Sequence, residues 1–172
     1  IVRSVNLKIA GDKFNTDIIG YLRDEFKLLI GEKTAESVKI AIGSVAPGDP
    51  MEAEVRGRDL VTGLPREVVI TDADIREAMG QSILGLIDGI KEVLETTPPE
   101  ILGDIMHRGI VLSGGGALLH GLDVLLQNML KIPVTVTEDP LTAVARGAGI
   151  VLEDINYYKE VLLPDYDTER SK

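Results

Sequence analysis

The stretch from residue 110 to residue 155 constrains the fold most. A short apolar run, "IVL", meets three consecutive glycines, Gly114 to Gly116, and an apolar stretch at helical spacing follows from about Leu118 to Leu130. A second apolar run, "IPVTVTE", comes next, and Asp139 and Pro140 then open a last helical stretch through "LTAVARGAGIVLEDI". Strand, loop, helix, strand, helix in this order demands a parallel strand pair, because only a crossover helix returns the chain in the same direction. The expected fold class is therefore α/β. In such sheets the loops at the carboxyl ends of the strands are where ligands bind.

A glycine triplet is costly in backbone entropy, so it needs a reason. One reading is a tight strand-to-helix turn. The other is a place where backbone must lie very close to a ligand. No Gly-Lys-Ser/Thr follows the glycines, and Gly114, Gly116 and Gly121 do not have the spacing of a dinucleotide fingerprint, so neither common phosphate motif applies. Local pattern alone leaves both readings open.

Upstream, Val5, Leu7 and Ile9 alternate with polar residues and predict a strand ending at Gly11. Phe14, Ile18, Leu22, Phe26 and Leu29 recur at helical spacing up to Gly31, with Asp12 as the expected turn or cap residue. A shorter helix is expected from Thr34 to Gly43. "MEAEVRGRDL" and "REVVIT" then read as a hairpin joined by "VTGLP". Thr71 and Asp74 have the spacing of a capping box before a long amphipathic helix whose buried stripe is Ile75, Met79, Ile83, Leu86, Ile87, Ile90, Val93 and Leu94. Gly80, Gly85 and Gly89 inside it call for close packing or a break at Gly80. Thr97, Pro98, Pro99 and Glu100 predict the cap and first turn of another helix, ending at Gly109.

The whole divides into a larger α/β part (residues 1–11 and 81–155), an inserted α+β lobe (12–80) and a loose tail (156–172). The chain begins with strand-like sequence at Ile1, which leads us to expect a piece of a longer protein.

Composition narrows the chemistry. The formal net charge of −10 argues against nucleic acid as a partner, since phosphate neutralisation needs a basic surface. Cysteine is absent, and two histidines, His107 and His120, are too few for a histidine-based metal cluster. His107 falls at a helix C-terminus, where a cation is favoured, and His120 follows the glycines. No apolar run reaches the roughly 18 residues of a membrane span.

Several stretches occur together in one order: "IAGDKFNTDI", "LLIGEKTAE", "EVRGRDLVTGLP", "TPPE", "RGIVL", "IVLSGGGALLHGLD" and "IPVTVTEDPLTAVARGAG". This set closely resembles the C-terminal half of the MreB/Mbl family of bacterial actin homologues, over about residues 5 to 155. The resemblance implies the second half of an actin-like (ribonuclease H-like) ATPase fold. It also implies that Gly114, Gly115 and Gly116 lie bare against the adenosine and α-phosphate of ATP, with backbone N–H groups at the following helix start facing the phosphate side. Ala117, Leu118 and Leu119 would edge that pocket. The segment Glu36, Ser37, Val38 and Lys39 would be the other adenosine-facing element, with Glu36 accepting from ribose hydroxyls or the purine amine. Read from spacing alone, Glu36 and Lys39 are an ordinary i,i+3 pair on one helix face.

The family's two phosphate hairpins, of the Asp-Leu-Gly-Thr and Asp-x-Gly-Gly-Gly-Thr types, do not occur here. The resemblance therefore implies ATP, with magnesium in the full-length protein, as a ligand shared with a missing N-terminal half, and no turnover by this chain alone. Its further implications are head-to-tail filaments that set rod shape by organising wall synthesis, and a transmembrane adaptor docked on this half. They also include a cytoplasmic location beneath the membrane, with membrane contact only through the absent half. Two alternatives stand beside it: a nucleotide-independent α/β interaction module, and another actin-superfamily ATPase of the sugar-kinase or chaperone type.

Overall fold

The computed structural model describes residues 1–162. The tail expected to be loose therefore lies largely outside the described residues. Its first part is ordered locally: the Tyr158 amide donates to Asp154 O (3.1 Å), and Lys159–Val161 forms a short 3₁₀ turn.

Helix α1 (Gly11–Phe26) forms because Phe14, Ile18 and Leu22 line one face and are buried. Its N-cap is Ala10, so Asp12 sits inside the first turn and is not the cap. The helix stops earlier than the apolar spacing predicts. Lys27 adopts a left-handed conformation (φ 52°), and Leu28–Leu29 becomes strand β1, with Leu28 buried and Leu29 exposed. Helix α2 (Glu32–Ile42) starts two residues before the expected Thr34, with Gly31 as N-cap.

Strands β2 (Glu52–Asp59) and β3 (Pro65–Thr71) form the expected hairpin, in register Arg56↔Glu67 and Val55↔Val68. Strand β1 adds to it antiparallel, giving the sheet order β1-β2-β3. The Thr71–Asp74 capping box is present: the Asp74 amide donates to Thr71 Oγ1 (3.3 Å), and the Thr71 amide to Asp74 Oδ2 (2.8 Å). It opens α3 (Asp72–Glu95), 24 residues without interruption, about 36 Å of rod. There is no break at Gly80.

Gly85 and Gly89 instead make room for the N-terminal segment. A Cβ at Gly89 would lie 2.4 Å from Leu7 Cδ1, and one at Gly85 3.0 Å from Ile9 Cδ1. The alternation of residues 5–9 thus sets Leu7 and Ile9 against α3, and the expected strand is not formed. A strand needs a ladder partner, and no described strand pairs with this segment. The boundary drawn at residues 80 and 81 falls inside the continuous α3.

Thr97 does not cap the next helix, α4 (Pro99–Arg108), whose N-cap is Pro98. The Thr97 hydroxyl donates backwards to Val93 O (2.7 Å), closing α3. Gly109 ends α4 at φ 83°, where a Cβ would meet Pro133 O at 2.6 Å. Strands β4 (Ile110–Leu112) and β5 (Val134–Val136) are parallel, Ile110 facing Val134 and Leu112 facing Val136. The intervening α5 (Leu122–Leu130) buries Leu122 and Leu126. Helix α6 (Ala143–Glu153) begins three residues later than Asp139–Pro140 suggested, with Thr142 as N-cap. Asp139 itself takes a left-handed conformation (φ 50°), and its side chain accepts from the Thr142 hydroxyl.

One apolar cluster unites these elements: Phe14, Ile18 and Leu22 of α1, Ile75, Met79 and Ile83 of α3, and Leu126 of α5 all belong to it. Each such side chain contributes about 1.5–3 kcal/mol by leaving water. Helices α1, α2, α3 and α5 are thereby held in one packed body, and the segment that leaves α2 is bonded to His120, just beyond the glycine loop.

Candidate functional site

The glycine loop leaves the carboxyl end of β4 through Ser113. Gly114 has φ 84° and ψ 171°, a conformation essentially reserved for glycine, and its amide donates to Pro140 O (2.8 Å). Gly114 is thus explained by the turn itself. Gly115 and Gly116 are not. Neither has a positive φ, a Cβ at Gly116 would meet nothing within 4 Å, and one at Gly115 would only touch Leu141 Cδ2 at 3.5 Å. Among the described residues their amides also enter no backbone hydrogen bond outside regular elements. Two glycines therefore present bare backbone and free N–H groups to open space.

The loop continues as a 3₁₀ turn, Gly115–Leu118, and the α-helix starts only at Leu122. The helix predicted from Leu118 is thus split. The donors beside the loop belong to the 3₁₀ turn, and the N-terminus of the full helix lies further along the chain. Of the three residues expected to edge a pocket, Leu118 is exposed, while Ala117 and Leu119 are buried.

Helix α2 is built on the spacing Ala35, Val38, Ile42, all buried, which turns Glu36 and Ser37 outward. Val38 thus packs into the core. The Glu36–Lys39 ion pair that spacing allows is not formed. Lys39 Nζ donates instead to Gly11 O (3.1 Å) and Asn15 Oδ1 (2.7 Å), tying α2 to the start of α1. Ser37 Oγ donates to Lys33 O (2.9 Å) within its own helix. Glu36 is left exposed, with no ion pair or side-chain hydrogen bond among the described residues.

The segments that follow the two elements, Gly43–Val45 after α2 and His120 after the 3₁₀ turn, meet through main chain. The His120 amide donates to Gly43 O (3.1 Å), and the Val45 amide to His120 O (2.9 Å). His120 thus joins the site by its backbone, its side chain being exposed. His107 lies in the last turn of α4, as its sequence position implied.

The bracing of the β2–β3 hairpin tip escaped the sequence reading. At the hairpin tip the Asp59 carboxylate accepts from the Val61 and Thr62 amides (2.8 Å each) and from Arg66 Nη1 (2.6 Å). Arg66 Nη2 also donates to Phe26 O, and the Leu60 amide to Lys27 O (2.8 Å). The Thr62 and Val61 amides, followed by the Arg66 charge, hold the Asp59 carboxyl below its ordinary range against the opposing effect of burial. So braced, the tip exposes Leu60, Val61 (80 %) and Leu64 (64 %). The Asp-x-x-x-Gly spacing of "DLVTG" was the available signal, since a carboxylate there bonds amides two and three residues on.

Comparison with known proteins agrees with this architecture. The model of the MreB/Mbl protein family matches residues 1–160. The cell shape-determining protein Mbl of Bacillus cereus is 50% identical over 157 residues, covering 91% of this chain and 47% of Mbl. The cell shape-determining protein MreB of Escherichia coli is 48% identical over 159 residues, covering 92% and 46%. The chain thus spans about half the length of the curated relatives it matches. Among solved structures, MreB5 of Spiroplasma citri bound to AMPPNP superposes with a TM-score of 0.88 at 38% identity, covering 95% of this chain and 49% of MreB5. The ADP-bound form gives 0.85, covering 90% and 47%. A MamK double helical filament, at 22% identity and a TM-score of 0.75, shares the fold. With its actin-like α/β architecture and a family match along nearly its whole length, this chain belongs to the MreB/Mbl family.

Proposed function

We propose that this chain is the adenosine-binding half of an ATP-dependent, filament-forming cytoskeletal protein that determines rod cell shape. The observation that carries the reading is the pair Gly115 and Gly116, whose bare backbone has no internal cause in the fold. A side chain there would occupy the space a nucleotide needs, and the two free amides are donors suited to its phosphate side. Exposed Glu36 supplies the acceptor for ribose or purine from the facing helix, with Ser37 beside it. Val38 and Lys39 shape the site from behind, through core packing and the tie to α1. Leu118 is the exposed apolar edge, and Ala117 and Leu119 anchor the loop. Spiroplasma MreB5, bound to ADP and to AMPPNP, lends support by its likeness.

In this reading residues 1–11 and 81–155 are the larger subdomain on the adenosine side and residues 12–80 the smaller lobe, the two joined through the continuous α3, with the lobe reaching the adenosine by Glu36 of α2. Magnesium and the phosphate-binding residues come with the amino-terminal half, and so does hydrolysis. The braced, apolar hairpin tip is the contact to the next copy in a head-to-tail filament, because a patch that fits a different surface of its own kind generates an open chain of subunits. A transmembrane adaptor of the wall-elongation machinery is a further partner. Filaments lie on the cytoplasmic side of the membrane and touch it through the other half. No helix among the described residues is long and apolar enough to cross a membrane.

The test is a titration of a fluorescent ATP analogue into this chain alone and into its complex with the amino-terminal half of a relative. A Glu36→Ala variant runs in parallel. The expected result is a Kd no tighter than about 1 mM alone, equivalent to about 4 kcal/mol. Micromolar binding is expected in the complex, weakened by Glu36→Ala. A complex that forms and binds no nucleotide would overturn the reading in favour of an interaction module.

A further inference from the structure

After Gly43 the chain does not leave α2 as a free loop. It runs beside Leu119–Gly121, with Ser44 and His120 forming a parallel bridge. The two segments touch at three levels, and none has a side chain pair as spacer. At Gly43 a Cβ would stand 2.2 Å from Lys39 O and 3.1 Å from Leu119 Cδ2. At Ser44 the contact is main chain to main chain, and the buried hydroxyl donates to Ala46 O (2.6 Å), shaping the segment. At Gly121, whose φ is 78°, a Cβ would stand 2.7 Å from Ala46 Cβ. Val45 and Leu119 close the junction by burial.

The consequence is a separation set by main-chain bonding at Ser44 and His120 and by the Gly121–Ala46 approach, where neither residue has a rotamer that could give way. Glu36 lies seven residues before Gly43, two turns and about 10 Å along α2. Gly115 and Gly116 lie a few residues before Leu119. A shift at the junction is therefore transmitted to both elements through a rigid helix and a short turn.

We infer that the Gly43–Ala46/Leu119–Gly121 junction is a positioning element that sets the distance between the Glu36 face of α2 and the glycine loop, and so sets affinity for the adenosine moiety without touching it. The inference rests on the nucleotide reading above. Because two surfaces must grip one rigid ligand, displacement of either by about an ångström costs a large factor in productive binding.

The experiment uses the longest natural polypeptide that carries this chain, with ADP as the probe and calorimetry for affinity. Three variants are compared: Ala46→Val, Gly121→Ala, and Gly121→Ala combined with Ala46→Gly. Ala46→Val widens the junction without altering Gly121, and so avoids its left-handed strain. Both single variants should weaken ADP about tenfold or more. The double variant restores the space while keeping the left-handed strain at position 121. It should therefore regain ADP affinity to within roughly threefold of wild type while still unfolding at a lower temperature, a coupling that a general loss of stability does not produce. Thermal unfolding without nucleotide is followed in parallel, and Ser44→Ala serves as a milder variant should Gly121→Ala fail to fold. Unchanged ADP affinity in Ala46→Val, or no recovery in the double variant, overturns the inference while leaving the nucleotide reading intact. Failure of the wild type to bind ADP at all overturns both.

Discussion

The three glycines of the loop differ in what holds them, and alanine replacements made one at a time should separate them. Gly114 sits at φ 84°, ψ 171°, so Gly114→Ala must carry strain of about 1–3 kcal/mol. For a chain of this size each kcal/mol lowers Tm by about 2–4 °C, so the midpoint should fall by several degrees. Gly115 and Gly116 have ordinary φ values and open space at the Cβ position, apart from the 3.5 Å approach to Leu141. Alanine there should be neutral or should stabilise by about 0.4–1 kcal/mol, because it restricts the unfolded chain. Nucleotide affinity should order them differently. In a nucleotide-competent complex, Gly115→Ala and Gly116→Ala should each lose about tenfold or more, equivalent to about 1.4 kcal/mol, as a methyl enters the ligand's space. The assays are differential scanning calorimetry without ligand and isothermal titration with ADP. If Gly115→Ala and Gly116→Ala destabilise as much as Gly114→Ala, the glycines are turn residues and the argument fails. It fails equally if both are stable and bind ADP as wild type does.

Three other outcomes follow from the lobe and its cap. Asp59 is held below the usual carboxylate range when folded, so its contribution is fully present above about pH 4 and is lost as pH falls through the lower folded value. Urea unfolding of Asp59→Asn should accordingly show a flatter dependence on pH below about 4 than wild type. Thr71→Ala removes one arm of the capping box and should cost about 0.5–2 kcal/mol by chemical denaturation; a cost near zero would show that Asp74 alone holds the start of α3. Val61→Glu at the exposed tip should leave Tm nearly unchanged, within about 0.5 kcal/mol. It should also abolish sedimentable filaments of the assembled protein. Filaments that persist would remove the tip from the longitudinal contact.

Patterns a few residues long carried much of the architecture. The parallel pair β4–β5 followed from its flanking helical stretches, the β2–β3 hairpin from "VTGLP", and the start of α3 from Thr71 and Asp74. Each is determined by bonds that close within a turn or across one crossover, so local residues suffice. The glycine triplet stood out for the same reason, as unusual composition at an element end, whereas Glu36, in the middle of α2, was singled out only by the family resemblance.

Other features depended on what lies opposite in space. Leu28–Leu29 is a strand only because Asp59 and Arg58 stand beside it. Leu7 and Ile9 alternate as a strand does, yet they fill the notches at Gly89 and Gly85. Lys39 has Glu36 one helical turn away and bonds Gly11 and Asn15 instead, partners 28 and 24 residues distant. Neither Gly43 nor Gly121 announced that it faces the other's segment. By itself the sequence determined which stretches are helix, hairpin and parallel strand, because hydrophobic period, caps and turn residues act over a few positions. Only the tertiary structure decided which glycines the fold itself requires and which it leaves facing open space, because the space beside a Cα is set by chain that arrives from elsewhere.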